Sequence, residues 1–121
     1  MSLADRHCIP CKKGERPMRS EEAQRRLREV PNWTLADQGK ALVRRFSFPD
    51  FASAEAFARE VGRIAEEEGH HPILCYSWGW CEVKWFTHAI DGLHENDFIM
   101  AAKTDRIWKS RFESEDACRK G

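Results

Sequence analysis

Residues 50–72, DFASAEAFAREVGRIAEEEGHHP, decide how the chain is read. Asp50 is suited to cap a helix over about 51–68. Inside it, Ala54, Phe57, Ala58, Val61, Ile64 and Ala65 recur at three- and four-residue spacing, which makes one apolar face. Gly69 supplies a stop, and Pro72 pushes His71 towards an extended backbone. An amphipathic helix therefore ends on three glutamates and passes two adjacent histidines into a strand.

Downstream, 73–78 and 80–87 read as a hairpin turning near Gly79. Its second strand alternates, with Cys81, Val83 and Trp85 on one face and Glu82, Lys84 and His88 on the other. A last helix over about 95–110 carries Phe98, Ile99, Ala101, Ala102, Ile107 and Trp108. Upstream, Ser20 is a candidate N-cap for a helix over about 21–29, which must end before Pro31. Trp33-Thr34-Leu35, a turn around Asp37–Gly39, and Ala41 to Phe48 make another hairpin. The order α-β-β-α-β-β-α, with both strand pairs as hairpins, predicts an α+β fold: a four-stranded antiparallel sheet with helices on one face.

At 121 residues the chain suits one domain. Residues 1–19 read as a basic, irregular arm containing Cys8-x-x-Cys11, residues 20–110 as the domain, and 111–121 as a charged tail with Cys118. Twenty basic and twenty acidic residues cancel, which argues against an electrostatic grip on nucleic acid or an anionic membrane. No stretch has the roughly 20 apolar residues of a membrane span, and the N-terminus lacks the apolar run of a secretory signal. Five cysteines make an odd number, so a disulfide framework is not expected; the expected location is the reducing cytoplasm.

The chemistry concentrates in Glu66-Glu67-Glu68-Gly69-His70-His71-Pro72, Thr87-His88 and Asp97. An acidic run at a helix C-terminus opposes the helix dipole, a cost that a neighbouring imidazolium offsets. Adjacent side chains of an extended segment point opposite ways, so His70 and His71 suit different parts of a flat ligand better than one point. A hairpin turning at Gly79 brings His88 back beside them. Imidazole keeps both protonation states accessible near neutral pH, which is what acid–base catalysis needs. The rival readings are surface decoration and a zinc site. Adjacent histidines are awkward ligands for one tetrahedral ion, and no His-Glu-x-x-His helix is present, so no metal is expected.

Glu66-x-x-x-His70-His71-Pro72, the aromatic Trp78, Thr87-His88, Gly92-Leu93 and Glu95-Asn96-Asp97 together resemble the signature of the pterin-4a-carbinolamine dehydratases. The resemblance spans roughly residues 18–110. It implies a hydro-lyase that dehydrates 4a-hydroxytetrahydropterin to quinonoid dihydropterin, recycling the cofactor of aromatic amino-acid hydroxylases. It implies a homodimer or homotetramer, a pterin as substrate, an aromatic amino-acid hydroxylase as possible partner, and no cofactor. Carried over by position, His70, His71, His88 and Asp97 are the catalytic set, with Glu66, Trp78 and Thr87 binding substrate. In that reading His70 and His88 exchange protons with the 4a-hydroxyl and N5, and His71 helps to hold the pterin. Asp97 orients an imidazole, and Glu66 does likewise or pairs with the pterin's amino-amide edge.

Some features depart from that pattern. His94 stands where many relatives have Ser or Thr, so the last helix is expected to lack a good N-cap. The second hairpin is unusual in carrying Trp78-Gly79-Trp80, and Cys75 and Cys81 are not essential to the family pattern. Cys8 and Cys11 could serve zinc or redox chemistry but read better as structural or incidental. Trp80 and Trp108 suit either oligomer contacts or the core, and Arg25, Arg26 and Arg28 suit a solvated helix face. The alternative function is non-enzymatic: a protein-binding, assembly or transcriptional cofactor on the same fold.

Overall fold

A computed structural model describes residues 2–10 and 14–113, so Cys11 and Cys118 lie outside the described residues. Helix α2, Phe51–Glu68, is built as its sequence directs. Asp50 accepts the Ser53 N–H at 2.8 Å, and Gly69 closes the other end at φ 66°. That left-handed conformation suits glycine, and it turns His70 away from the helix axis. The apolar face from Ala54 to Ala65 is buried.

Beside it lies α3, Glu95–Ile107, which runs on into a wider π turn over Trp108–Phe112. The wider turn buries both Trp108 and Phe112, whose rings meet Phe48 and Phe57. Trp108 is thus a core residue. The first helix, α1, covers Ser20–Arg26 and tightens into a 3-10 turn over Leu27–Glu29. Ser20 is not its cap. Arg19 holds that position without a side-chain cap bond. The Met18 N–H is tied to the Leu93 carbonyl at 2.8 Å, so the chain enters the helix one residue earlier than the serine suggests. Arg26 is no solvated residue either: it pairs with Glu29 and Glu95 and lies over the Phe98 ring.

The strands β1 (Thr34–Ala36), β2 (Ala41–Ser47), β3 (Ile73–Ser77) and β4 (Trp80–Trp85) form one antiparallel sheet in the order β1-β2-β4-β3. Leu42 faces Trp85 and Phe46 faces Cys81 across the central pair. Those four and Val83 point at the helices and are buried. Val43, Arg45, Glu82 and Lys84 alternate onto the open face, where the Arg45 guanidinium lies 4.1 Å over the Trp80 ring. The expected α+β architecture is the observed one. No helix among the described residues is long and apolar enough to cross a membrane.

Two polar ties hold α3 in place. Arg44 leaves the helix-facing side of β2 to meet Asp105 of α3 at 2.6 Å, and the Trp33 indole N–H donates to the same carboxylate at 2.9 Å. Burial pushes the Asp105 carboxyl above its ordinary value, although Trp33 and Arg44 oppose the shift. At the other tie, Leu3–Asp5 forms a short 3-10 turn against α3. There Ala4 is buried and its carbonyl accepts from Lys103 Nζ at 2.9 Å. Replacing Asp105 with Ala strands a guanidinium and an indole N–H in a mostly buried setting. We expect a loss of about 2–4 kcal/mol, read as a lowered urea midpoint at unchanged m-value. A midpoint within error of the parent would show the cluster to be energetically idle.

Candidate active site

The end of α2, the segment after β4 and the first turn of α3 meet at one point, and that point is the Asp97 carboxylate. Asp97 is fully buried. One of its oxygens lies 2.6 Å from His70 Nε2. The other accepts the Thr87 hydroxyl at 2.8 Å and the His94 N–H at 3.0 Å. A carboxylate only accepts, so the hydrogen between the first pair sits on His70 Nε2. This leaves His70 Nδ1 as the ring nitrogen available for chemistry. The His70 ring also stacks on Trp85, with centroids 5.9 Å apart and planes 11° apart. Trp85 is itself fixed, its indole N–H donating to Thr104 at 3.1 Å.

His94 corrects the expectation of a poorly capped helix. Its Nδ1 accepts the Asn96 N–H at 3.0 Å, and Asp97 returns the bond to the His94 backbone, which completes a capping box. An imidazole nitrogen replaces the expected hydroxyl. Asp97 therefore caps α3 and holds His70 at once.

His70, His71, Thr87 and His88 line a single cavity of about 470 Å³, together with Cys8, Ile9, Pro10, Phe86 and Asn96. That volume suits a small heterocyclic ligand. His88 does not end the strand: it opens a 3-10 turn over His88–Ile90, and its ring rests on Phe86 at 4.3 Å. The turn is closed by a bridge between Thr87 and Gly92. A Cβ on Gly92 would come 2.5 Å from Pro17, so only glycine lets the arm pass there. His71 is exposed, and its Nε2 meets Glu66 at 2.6 Å. Glu66 thus reaches the site through His71 and is not among the cavity-lining residues.

The family model for pterin 4 alpha carbinolamine dehydratase matches residues 16–107. A relative from Aromatoleum aromaticum, provisionally named as such a dehydratase, is 52% identical over 105 residues, covering 87% of this chain and 94% of the relative. Another from Chlorobaculum tepidum, named in the same way, is 51% identical over 107 residues, covering 87% and 96%. The chain belongs to the pterin-4a-carbinolamine dehydratase family. Members of this family are hydro-lyases. Among solved structures, a transcriptional coactivator/pterin dehydratase from Brucella melitensis superposes with a TM-score of 0.70 at 31% identity, covering 75% of this chain and 97% of that one. A pterin dehydratase-like RuBisCO assembly factor of the α-carboxysome shares the fold, with a TM-score of 0.55 at 23% identity, covering 63% and 88%.

Against the residues that the dehydratase signature picked out, one is displaced. Trp78 sits at the tip of the β3–β4 hairpin, 69% exposed, at the far end of strands that begin beside His71 and finish beside His88. It does not line the histidine cavity. Conversely, Phe86, Trp85, Glu68 and Asn96 were not singled out as site residues. Phe86 and Asn96 carried no chemical signal of their own, and Glu68 was one glutamate of three.

Glu68 is the pin of the N-terminal arm. It accepts the Cys8 N–H at 2.7 Å and His7 Nδ1 at 2.8 Å, and Lys103 Nζ lies 3.9 Å away. Burial alone would raise its carboxyl, but these partners prevail and hold it below the ordinary 4.5. Burial also pushes the Cys8 thiol up to about 12, with Glu68 and Asp97 adding to the effect, so it is no thiolate near neutral pH. Among the described residues no His, Cys, Asp and Glu cluster could hold a metal ion.

Two outcomes follow from these bonds. A carboxyl depressed in the folded state stabilises it above its unfolded pKa, and the contribution disappears as pH falls through the folded value. We expect the Ile9 amide, ordered at pH 6 by 15N relaxation, to become mobile once the pH drops below the ordinary carboxylate range. Glu68→Gln should abolish that transition, and equal order at pH 3 would show that Glu68 does not hold the arm. Asp97→Ala should cost about 3 kcal/mol, since it unpairs a buried imidazole, a hydroxyl and a cap N–H together. Thermal melting measures that loss, and an unchanged melting temperature would contradict it.

Proposed function

We propose that this chain dehydrates 4a-hydroxytetrahydropterin to quinonoid dihydropterin by histidine acid–base catalysis. The observation that carries the reading is a cavity walled by three imidazoles, one of them held by a buried carboxylate and a stacked indole. The family supplies the substrate class; the histidines supply the chemistry.

Dehydration breaks the C4a–OH bond, removes the N5 proton and forms the C4a=N5 double bond. An imidazolium protonates the departing hydroxyl. A neutral imidazole takes the N5 proton, and the electron pair left on N5 expels water. Two histidines thus exchange protonation states in each turnover and reset through solvent. We assign these transfers to His70 and His88. His70 presents Nδ1 because Asp97 holds Nε2, the arrangement in which a carboxylate sets the tautomer and supports the charged ring. His71, tethered by Glu66 at the exposed rim, helps to hold the pterin. Thr87 positions Asp97. The dehydration involves no net oxidation or reduction, and the proposed proton transfers call on no metal or cofactor; the pterin is the substrate.

The product is a cofactor form of aromatic amino-acid hydroxylases, so such an enzyme is the proposed beneficiary. A reducing cytoplasm fits Cys8, Cys75 and Cys81, all free thiols. Self-association into a dimer or tetramer fits the large apolar side chains left exposed on and beside the β3 edge: Phe51, Ile73, Tyr76 and Trp78. A partner-binding function is the second reading, because the Brucella melitensis structural neighbour is named both as a coactivator and as a dehydratase. The retained histidine set favours catalysis.

The deciding measurement is water loss from freshly generated 4a-hydroxytetrahydropterin, with the spontaneous rate subtracted. His70→Ala and His88→Ala should each lower kcat by about a hundredfold or more. His71→Ala should act mainly on KM, by about tenfold. Full turnover by the His70 variant would refute the assignment. No acceleration by the folded parent protein would favour the partner-binding reading.

A further inference from the structure

The matched family segment begins at residue 16, yet the histidine cavity has a wall made by residues 8–10. Those residues are fixed to the site from two sides. The Asn96 side chain is buried and spends both of its polar atoms on one arm residue: Oδ1 accepts the Ile9 N–H at 3.0 Å, and Nδ2 donates to the Ile9 carbonyl at 2.7 Å. A side-chain amide here does what a neighbouring strand would do. Glu68 holds the preceding peptide through the Cys8 N–H at 2.7 Å. Further back, Arg6 reaches Glu95 and Asp5 reaches Arg106.

With its backbone held on both edges, Ile9 still leaves its side chain 58% exposed, and it borders the cavity. Burying an aliphatic side chain of that size is worth more than leaving it in water, and more than half of Ile9 is open to solvent. Pro10 follows, with a fixed φ and no N–H, so this stretch of wall offers apolar surface and no donor. Phe86 and Ala89 add apolar surface to the same cavity, while the three histidines are among its polar groups. A flat heterocycle needs both kinds of surface, apolar contact for its faces and polar groups for its edge.

We infer that the N-terminal arm is part of the substrate site, with Ile9 and Pro10 forming an apolar wall that packs against the bound pterin ring, and with Asn96 and Glu68 as its positioning residues. The inference rests on the proposed pterin reaction and extends it to residues before the matched segment. The arm supplies affinity; the proton transfers stay with the histidines. Its contribution falls on ground state and transition state alike, so it appears in KM and binding, with kcat little changed.

The test uses the full chain and two variants, Ile9→Ala and Asn96→Ala, with 7,8-dihydrobiopterin as a stable binding probe. Kd is measured by titration, and KM and kcat are measured with 4a-hydroxytetrahydrobiopterin and its 6-methyl analogue. Ile9→Ala keeps both backbone bonds to Asn96, and it should weaken Kd and raise KM about fivefold with kcat within about twofold. Asn96→Ala releases the wall and should cost about tenfold or more in Kd. The losses should be equal for the two substrates, because the contact is with the ring. Ile9→Ala alone decides if Asn96→Ala melts too early to be assayed. A parent protein that binds dihydrobiopterin while the Ile9 variant binds it equally well overturns the arm's role and leaves the dehydratase reading intact. So does a loss confined to the biopterin side chain, which would place the wall elsewhere on the ligand. A parent protein that neither binds the pterin nor dehydrates it overturns both.

Discussion

A buried carboxylate must be met by donors, and in this protein the donors of Asp97 come from three separate parts of the chain. The imidazole of His70 follows α2, the hydroxyl of Thr87 follows β4, and the N–H of His94 precedes α3. Satisfying that single group therefore fixes the relative placement of a helix end, a strand end and a helix start. The carboxylate also sits in the first turn of α3, where the helix dipole favours negative charge. Capping the helix and orienting the histidine draw on the same two oxygens. A substitution at Asp97 cannot change one without changing the other.

The next residue outward extends the arrangement. Asn96 turns to the arm while Asp97 turns to the histidine, so two consecutive residues of one helical turn support different parts of the cavity lining. Trp85 supports the site from the sheet, stacking on His70 with its own N–H held by Thr104 of α3. Through these contacts the core reaches the cavity directly. The site is pre-organised by groups needed for folding in any case.

Legibility in the sequence follows from whether a signal is local. The α2 periodicity, the Asp50 cap and the Gly69 stop are properties of short windows, and all three are seen in the structure. The hairpins and the meeting of His70, His71 and His88 needed only strand direction and a turn at Gly79. Trp78 is carried over from the signature by position alone, whereas the length of the hairpin sets it at an exposed tip outside the histidine cavity. His94 was misread as a missing cap because imidazole is a rare acceptor at that position, though its Nδ1 can play the part. The arm reads only as basic and irregular, and its place beside the histidines does not show in the sequence. Its order comes from Glu68 and Asn96, which are far away in sequence and gave no sign of what they would hold.

The acidic run that closes α2 shows how one local cost is distributed into three uses. Glu67 is answered by Arg63 one turn back, Glu68 by the arm, and Glu66 by His71. The dipole penalty is met by three partners in three directions, and only the first of those pairs lies within the helix. This also separates the two neighbouring histidines. The His71–Glu66 pair is solvated, and pairs of that kind are worth at most about 1 kcal/mol, so His71 can leave it for a ligand at little cost. The His70–Asp97 pair is largely shielded, with Asp97 fully buried and its carboxylate bound by two further donors, so His70 keeps its place. Adjacent residues of the same type are thereby given different freedoms: one imidazole is held with a single nitrogen turned to the cavity, and the other adapts at the rim. The proposed dehydration, which must both grip a flat substrate and move protons at fixed atoms, calls for that difference.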